Sequence, residues 1–181
     1  MLRTDKPIYK VILILNLLFI AAGVVLCVIG IISPDANATR IINRIVAIAC
    51  LIFAAFYILN GYTKDAAKYY KVFGALLVIK YLAGILSGAT NSGIPFSIMA
   101  TTLSLVLVLV LLLSENLGKT KSLVLCGVFV IFRVVFLLYS IIKSDISTML
   151  IMSNIVNLDL ACLYGIMTFA KYLDKAERGT K

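Results

Sequence analysis

Ser122–Ile142 reads SLVLCGVFVIFRVVFLLYSII, and apart from Arg133 it carries no charge. Apolar residues follow one another without the every-second-residue alternation of a membrane β-barrel strand. Twenty-one residues at 1.5 Å each span about 30 Å, the thickness of a bilayer's hydrocarbon core. The stretch therefore reads as a membrane-spanning helix with a cation near its middle.

Five more stretches of the same kind lie on either side of it. They are Tyr9–Ser33, Ile41–Gly61, Tyr70–Ser87, Pro95–Ser114 and Ile146–Ala170. The 181 residues are 62% apolar with a mean hydropathy of +1.10, against about 45–50% apolar in a soluble domain. No connection is long enough for a soluble domain, which starts near about 50 residues. The predicted fold is all-α, an integral membrane bundle of six transmembrane helices in three sequential hairpins. Residues 1–181 form a single transmembrane domain, with 171–181 as a short cytoplasmic tail.

The first stretch needs a separate check. Arg3, Lys6 and Lys10 precede it, and Ala36-Asn37-Ala38 has the A-x-A form of a signal-peptidase site. Its uncharged run, Val11–Ser33, exceeds the usual apolar region of about 7–15 residues, so it is read as the first span. Asn37-Ala38-Thr39 also fits a glycosylation sequon, a short pattern common by chance.

Charge sets the expected orientation. One side of the predicted bundle holds Arg3, Lys6, Lys10, Lys64, Lys68, Lys71, Lys119, Lys121, Lys171, Lys175, Arg178 and Lys181, and the other only Arg40, Arg44 and Lys143. Short loops rich in Lys and Arg stay cytoplasmic, which places both termini inside and demands an even number of spans. Tyr9, Tyr62, Tyr69, Tyr70 and Tyr172 fall at the same helix ends, where a ring with a polar tip suits the headgroup layer. The expected surroundings are a lipid bilayer with anionic lipids at the cytoplasmic face. Nucleic acid is not expected, because the cations are scattered over separate short loops. The small size and minimal loops suggest a bacterial cytoplasmic membrane.

Two further patterns bear on packing. The third and fifth spans correspond at an offset of 53 residues, pairing Lys68 with Lys121, Gly74 with Gly127, Lys80 with Arg133 and Ser87 with Ser140. Internal repeats are frequent in transporters. Gly84–Gly88 forms a GxxxG, and Ala21, Ala22 and Gly23 form a small patch; both suit close helix packing, within the chain first and as a dimer seam second.

The candidate site residues are the ionisable groups near mid-membrane, Lys80, Arg133 and Asp159, with Asn154 and Asn157 beside them. A charge at a helix centre costs about 2.5–3.5 kcal/mol and normally faces a bundle interior or cavity. Arg133 is twelve residues beyond Lys121 and Asp159 twelve before Lys171. Equal depth makes an Arg133–Asp159 ion pair a candidate, although side chains lean toward their own helix N-termini and tilt these two apart. Lys80 lies nine residues from Lys71. It can snorkel to the inner headgroups, join an ion pair, or contact an anionic substrate. In the sixth span Ser153, Asn157 and Tyr164 share a face, Asn154 is at its edge, and Asp159 projects from nearly the opposite side. A helix polar on two faces should sit centrally in the bundle. Asn16 of the first span is a candidate member of the same polar network.

Catalytic chemistry is poorly represented. There is no His, which removes the commonest general base and metal ligand. Cys27, Cys50, Cys126 and Cys162 fall in four different spans, as packing residues do. No phosphate-binding loop or nucleophile elbow occurs. The chain is expected not to be an enzyme and to use no cofactor or metal. Two functions stay open. One is transport of a small anionic or zwitterionic solute, alone or as a substrate-binding subunit with an ATPase or other membrane partner. The other is a non-catalytic accessory, scaffold or immunity subunit whose intramembrane charges serve assembly.

Overall fold

The computed structural model describes residues 7–34, 37–59, 66–90, 95–113, 118–142 and 148–179. Six helices account for nearly all of them: α1 Pro7–Ile32, α2 Ala38–Leu59, α3 Ala66–Thr90, α4 Pro95–Leu113, α5 Lys119–Ile142 and α6 Thr148–Gly179. Each coincides with one predicted stretch. The largest departure is at the C-terminus, where residues expected to form a short tail continue α6 as helix to Gly179. Five helices contain segments long and apolar enough to cross a bilayer, namely Ile14–Ile32, Ala38–Leu59, Ala67–Ser87, Lys119–Ile142 and Leu150–Phe169. The corresponding segment of α4, Ile98–Leu113, is shorter.

Helix starts follow local chemistry. Pro7 and Pro95 open α1 and α4 at the position where a missing N–H costs nothing. Asn37 caps α2: its Oδ1 accepts from the Arg40 backbone N–H at 2.9 Å and from the Thr39 hydroxyl at 3.0 Å. The sequon-like Asn37-Ala38-Thr39 is thus a helix-starting turn.

Neighbouring helices pack in chain order, and α1 closes the ring against α6. α6 also touches α2 and α3, so it takes the central place expected from its two polar faces. Among the described residues α3 and α5 make no backbone approach, and long side chains bridge them.

The bundle is apolar on its outside as well as in its core, unlike a water-soluble protein. Large apolar side chains such as Leu18, Phe19, Ile131 and Ile142 cover the outside, while Arg133, Lys80, Asn154 and Asn157 are buried. Such a surface suits lipid, where polar groups must find partners inside.

α5 and α6 are pinned in register by polar rungs. Ser122 Oγ and Tyr172 Oη lie 2.7 Å apart, Cys126 Sγ donates to Thr168 Oγ1 at 3.3 Å, and Asn154 Nδ2 donates to Ser140 Oγ at 2.6 Å. Each step forward along α5 is matched by an equal step back along α6. That single antiparallel register sets Arg133 opposite Ala161, which is fully buried.

Small residues permit close approaches. A Cβ on Gly23 of α1 would lie 3.0 Å from Leu51 of α2, and one on Gly84 of α3 would lie 3.1 Å from Thr101 of α4. Gly84 therefore serves packing within the chain; Gly88 lies outside the residues whose surroundings are described. The repeat pairing of Gly74 with Gly127 has no common packing role. A Cβ on Gly74 would meet Leu112 at 2.8 Å, whereas one on Gly127 would meet nothing within 4 Å.

Candidate functional site

The buried face of α5 is the stripe Ser122, Cys126, Phe129, Arg133, Phe136 and Ser140, spaced three or four residues apart as one helix face requires. This spacing carries Arg133 inward, where it is 1% exposed. Its guanidinium carbon sits 5.2 Å from the ring centroid of Tyr81 on α3. Phe129, one turn away on α5, meets the same ring edge-on at 6.3 Å. Tyr81 thereby fills the gap that the separated backbones of α3 and α5 leave.

Lys80 shares that ring. Its Nζ is 4.7 Å from the Tyr81 centroid, and the residue is 4% exposed. Burial at this depth counts against snorkelling, one of the three readings open for Lys80. Arg133 and Arg44 are both close enough to repel it electrostatically, and Cys50 and Cys27 lie in the same neighbourhood. Arg44, 9% exposed, lies against α1: a Cβ on Gly30 would be 3.0 Å from its Nε. Lys80, Arg133 and Arg44 thus gather in one region.

Counting along the helices places this region in the Lys-poor half. Arg44 is six residues into α2, Lys80 ten before the end of α3, Arg133 nine before the end of α5, and Asn157 nine into α6. All fall within roughly 15 Å of that end.

Hydrogen bonding in the region is incomplete. Arg133 Nε and Nη2, Tyr81 Oη and Asn157 Oδ1 are buried without a well-formed hydrogen bond, and the hydroxyl of Tyr81 is the polar group that interacts with Arg133. Buried polar groups are normally paired, and an unpaired donor on a charged group is among the costliest exceptions.

The predicted site residues separate into two sets. Lys80 and Arg133 come together on Tyr81, with Asn157 one helical turn from Ala161, the residue facing Arg133. Asn154 is instead committed to Ser140. The Arg133–Asp159 pair is not formed. Asp159 projects from another face of α6, where its Oδ2 would lie 3.3 Å from a Cβ on Gly23 of α1. That oxygen is buried without a hydrogen-bond partner.

Two members of the region are not singled out by sequence. Arg44 counts there with the loop cations, yet α2 begins at Ala38 and its buried face runs Arg44, Ala47, Leu51, Ala54 and Ile58. That helical spacing is the available signal. Tyr81 has none, because an aromatic residue in a span is ordinarily packing.

The Lys-rich half contrasts with this. Phe53 stacks with Phe73 at 6.3 Å, Tyr57 meets Tyr69 at 5.1 Å, and Tyr70 stacks with Tyr164 at 5.0 Å. These rings from α2, α3 and α6 form an interlocked aromatic layer. Tyr70, expected in the headgroup zone, is buried. Its hydroxyl donates to the Leu111 carbonyl at 2.6 Å, satisfying one of the orphan carbonyls in the last turn of α4. Lys171 lies over the open face of the same ring at 4.4 Å.

The chain matches no known protein family, no curated protein and no solved structure.

Proposed function

We propose that this multi-pass membrane protein binds a small anionic solute in the Lys-poor half of its bundle and transports it, alone or as the substrate-binding subunit of a larger transporter. The observation that carries the reading is Arg133, 1% exposed, with Nε and Nη2 lacking a well-formed hydrogen bond beside a second buried cation, Lys80. Arg44 adds a third positive charge. Like charges assembled in a low dielectric repel, and an anion reverses the sign of that interaction. An oxyanion also supplies the acceptors that the Arg133 donors lack, in the forked geometry a guanidinium favours.

On the positive-inside reading the cationic region lies in the outer half of the membrane, and the aromatic layer lies in the cytoplasmic half. A solute would enter from outside. Nothing in the reading calls for a catalytic step. The accessory-subunit alternative needs charges presented to a neighbouring chain, and the inward orientation of Lys80 and Arg133 counts against it.

Purified protein in lipid is heated with sulfate, inorganic phosphate and succinate. An anion that raises the unfolding temperature of wild type, but not of Lys80→Ala or Arg133→Ala, supports the reading. Indifference of wild type to all anions, together with a co-purifying partner lost on either substitution, refutes it in favour of assembly.

A further inference from the structure

Asp159 belongs to neither the cationic region nor the rungs that fix α5 on α6. It lies on a separate face of α6, about mid-membrane, eleven residues into the helix. Its side chain is partly exposed at the seam with α1, while its Oδ2 is buried and lacks a hydrogen-bond partner. Gly23 of α1 faces it, and Leu51 of α2 packs against the same glycine. The titratable group within electrostatic reach is Cys162, on its own helix. No Lys or Arg among the described residues acts on it appreciably.

A carboxylate between apolar neighbours with no counter-cation is neutralised most simply by a proton. Intramembrane carboxylates so placed are the usual carriers in proton relays. Gly23 keeps the contact narrow, so α1 can lie against α6 with only a carboxyl group between them. We infer that Asp159 is a proton-binding site within the bundle, independent of the anion-binding reading. One proton bound at Asp159 cancels its charge, and no covalent bond other than O–H forms or breaks.

One measurement on full-length protein tests this: vesicle-embedded protein is treated with dicyclohexylcarbodiimide, a lipid-soluble reagent that modifies protonated carboxyl groups, and digested for mass analysis. Wild type is expected to carry the adduct on Asp159, with labelling that falls as pH rises; Asp159→Asn should lack it. An unlabelled Asp159 beside a labelled Asp159→Glu control refutes a proton site. Absence of label in both means that no protonated carboxyl forms at this position, and refutes it equally.

Discussion

Lys80 and Arg133, from helices whose backbones do not meet, share the single ring of Tyr81 at 4.7 and 5.2 Å. The ring offers its face to two basic side chains that repel each other when both are charged. Cation–π attraction is worth about 0.5–1 kcal/mol at exposed sites and about 2 when desolvated. Tyr81→Phe keeps the π face and should leave thermal stability within about 0.5 kcal/mol of wild type. Tyr81→Leu should lose about 1–2 kcal/mol. Unfolding in detergent checks both, and equal losses would mean that the hydroxyl matters more than the ring.

Arg133 illustrates a conflict between stability and binding. Substituting a buried ionic group by an apolar residue of similar volume is often neutral or stabilising by about 1–4 kcal/mol. Arg133→Met should therefore unfold at the same temperature as wild type or higher, yet lose any stabilisation by added anion. A sharp drop in stability would instead place Arg133 in the architecture of the bundle.

Asn154 reads from sequence either as a substrate contact or as an interhelical hydrogen-bonding group, and its bond to Ser140 at 2.6 Å suits the second. Such bonds average about 0.6 kcal/mol and reach about 1.7. Asn154→Ala should cost that much and leave the response to anions intact. A normal unfolding temperature with the anion response abolished would return Asn154 to the binding site.

Gly74 and Gly127 occupy equivalent places in the proposed repeat but meet different surroundings. A Cβ on Gly74 would lie 2.8 Å from Leu112 and 2.9 Å from Tyr164 Oη, and Tyr164 is itself held between Tyr70 and Phe73. Gly74→Ala should cost about 1–3 kcal/mol through overpacking. Gly127→Ala, facing open space, should be neutral or slightly stabilising, since alanine is the better helix former by about 1 kcal/mol.

Orientation is open to direct labelling. Single cysteines replacing Lys68 and Lys119, in a background with Cys27, Cys50, Cys126 and Cys162 changed to Ala, should react only from the cytoplasmic face. A cysteine at Ser33 should react only from the opposite face. Labelling of positions 68 and 119 from different sides would break the hairpin topology.

The helices are legible in the sequence because each residue in a span contributes to a sum: a run of about twenty mostly apolar residues outweighs any one exception. The burial of Arg133 and the central place of α6 are legible for a related reason, since charge and polarity on particular faces demand particular neighbours. The partners of those charges are not. Arg133 and Asp159 lie at similar depth, but their contacts depend on helix rotation, and the Ser140–Asn154, Cys126–Thr168 and Ser122–Tyr172 rungs that set it involve small polar residues common in any span. Tyr81 is invisible because its role comes from the gap between α3 and α5, which no local pattern encodes.

The stacked rings of α2, α3 and α6 also have an energetic consequence for the host cell. A membrane potential of 100 mV amounts to about 2.3 kcal/mol for each elementary charge that crosses. Any permanently open pore through six helices would drain it. With Phe53, Tyr57, Tyr69, Tyr70, Phe73 and Tyr164 interlocked at one end, the helices meet there through packed rings and leave the potential no open path along that seam.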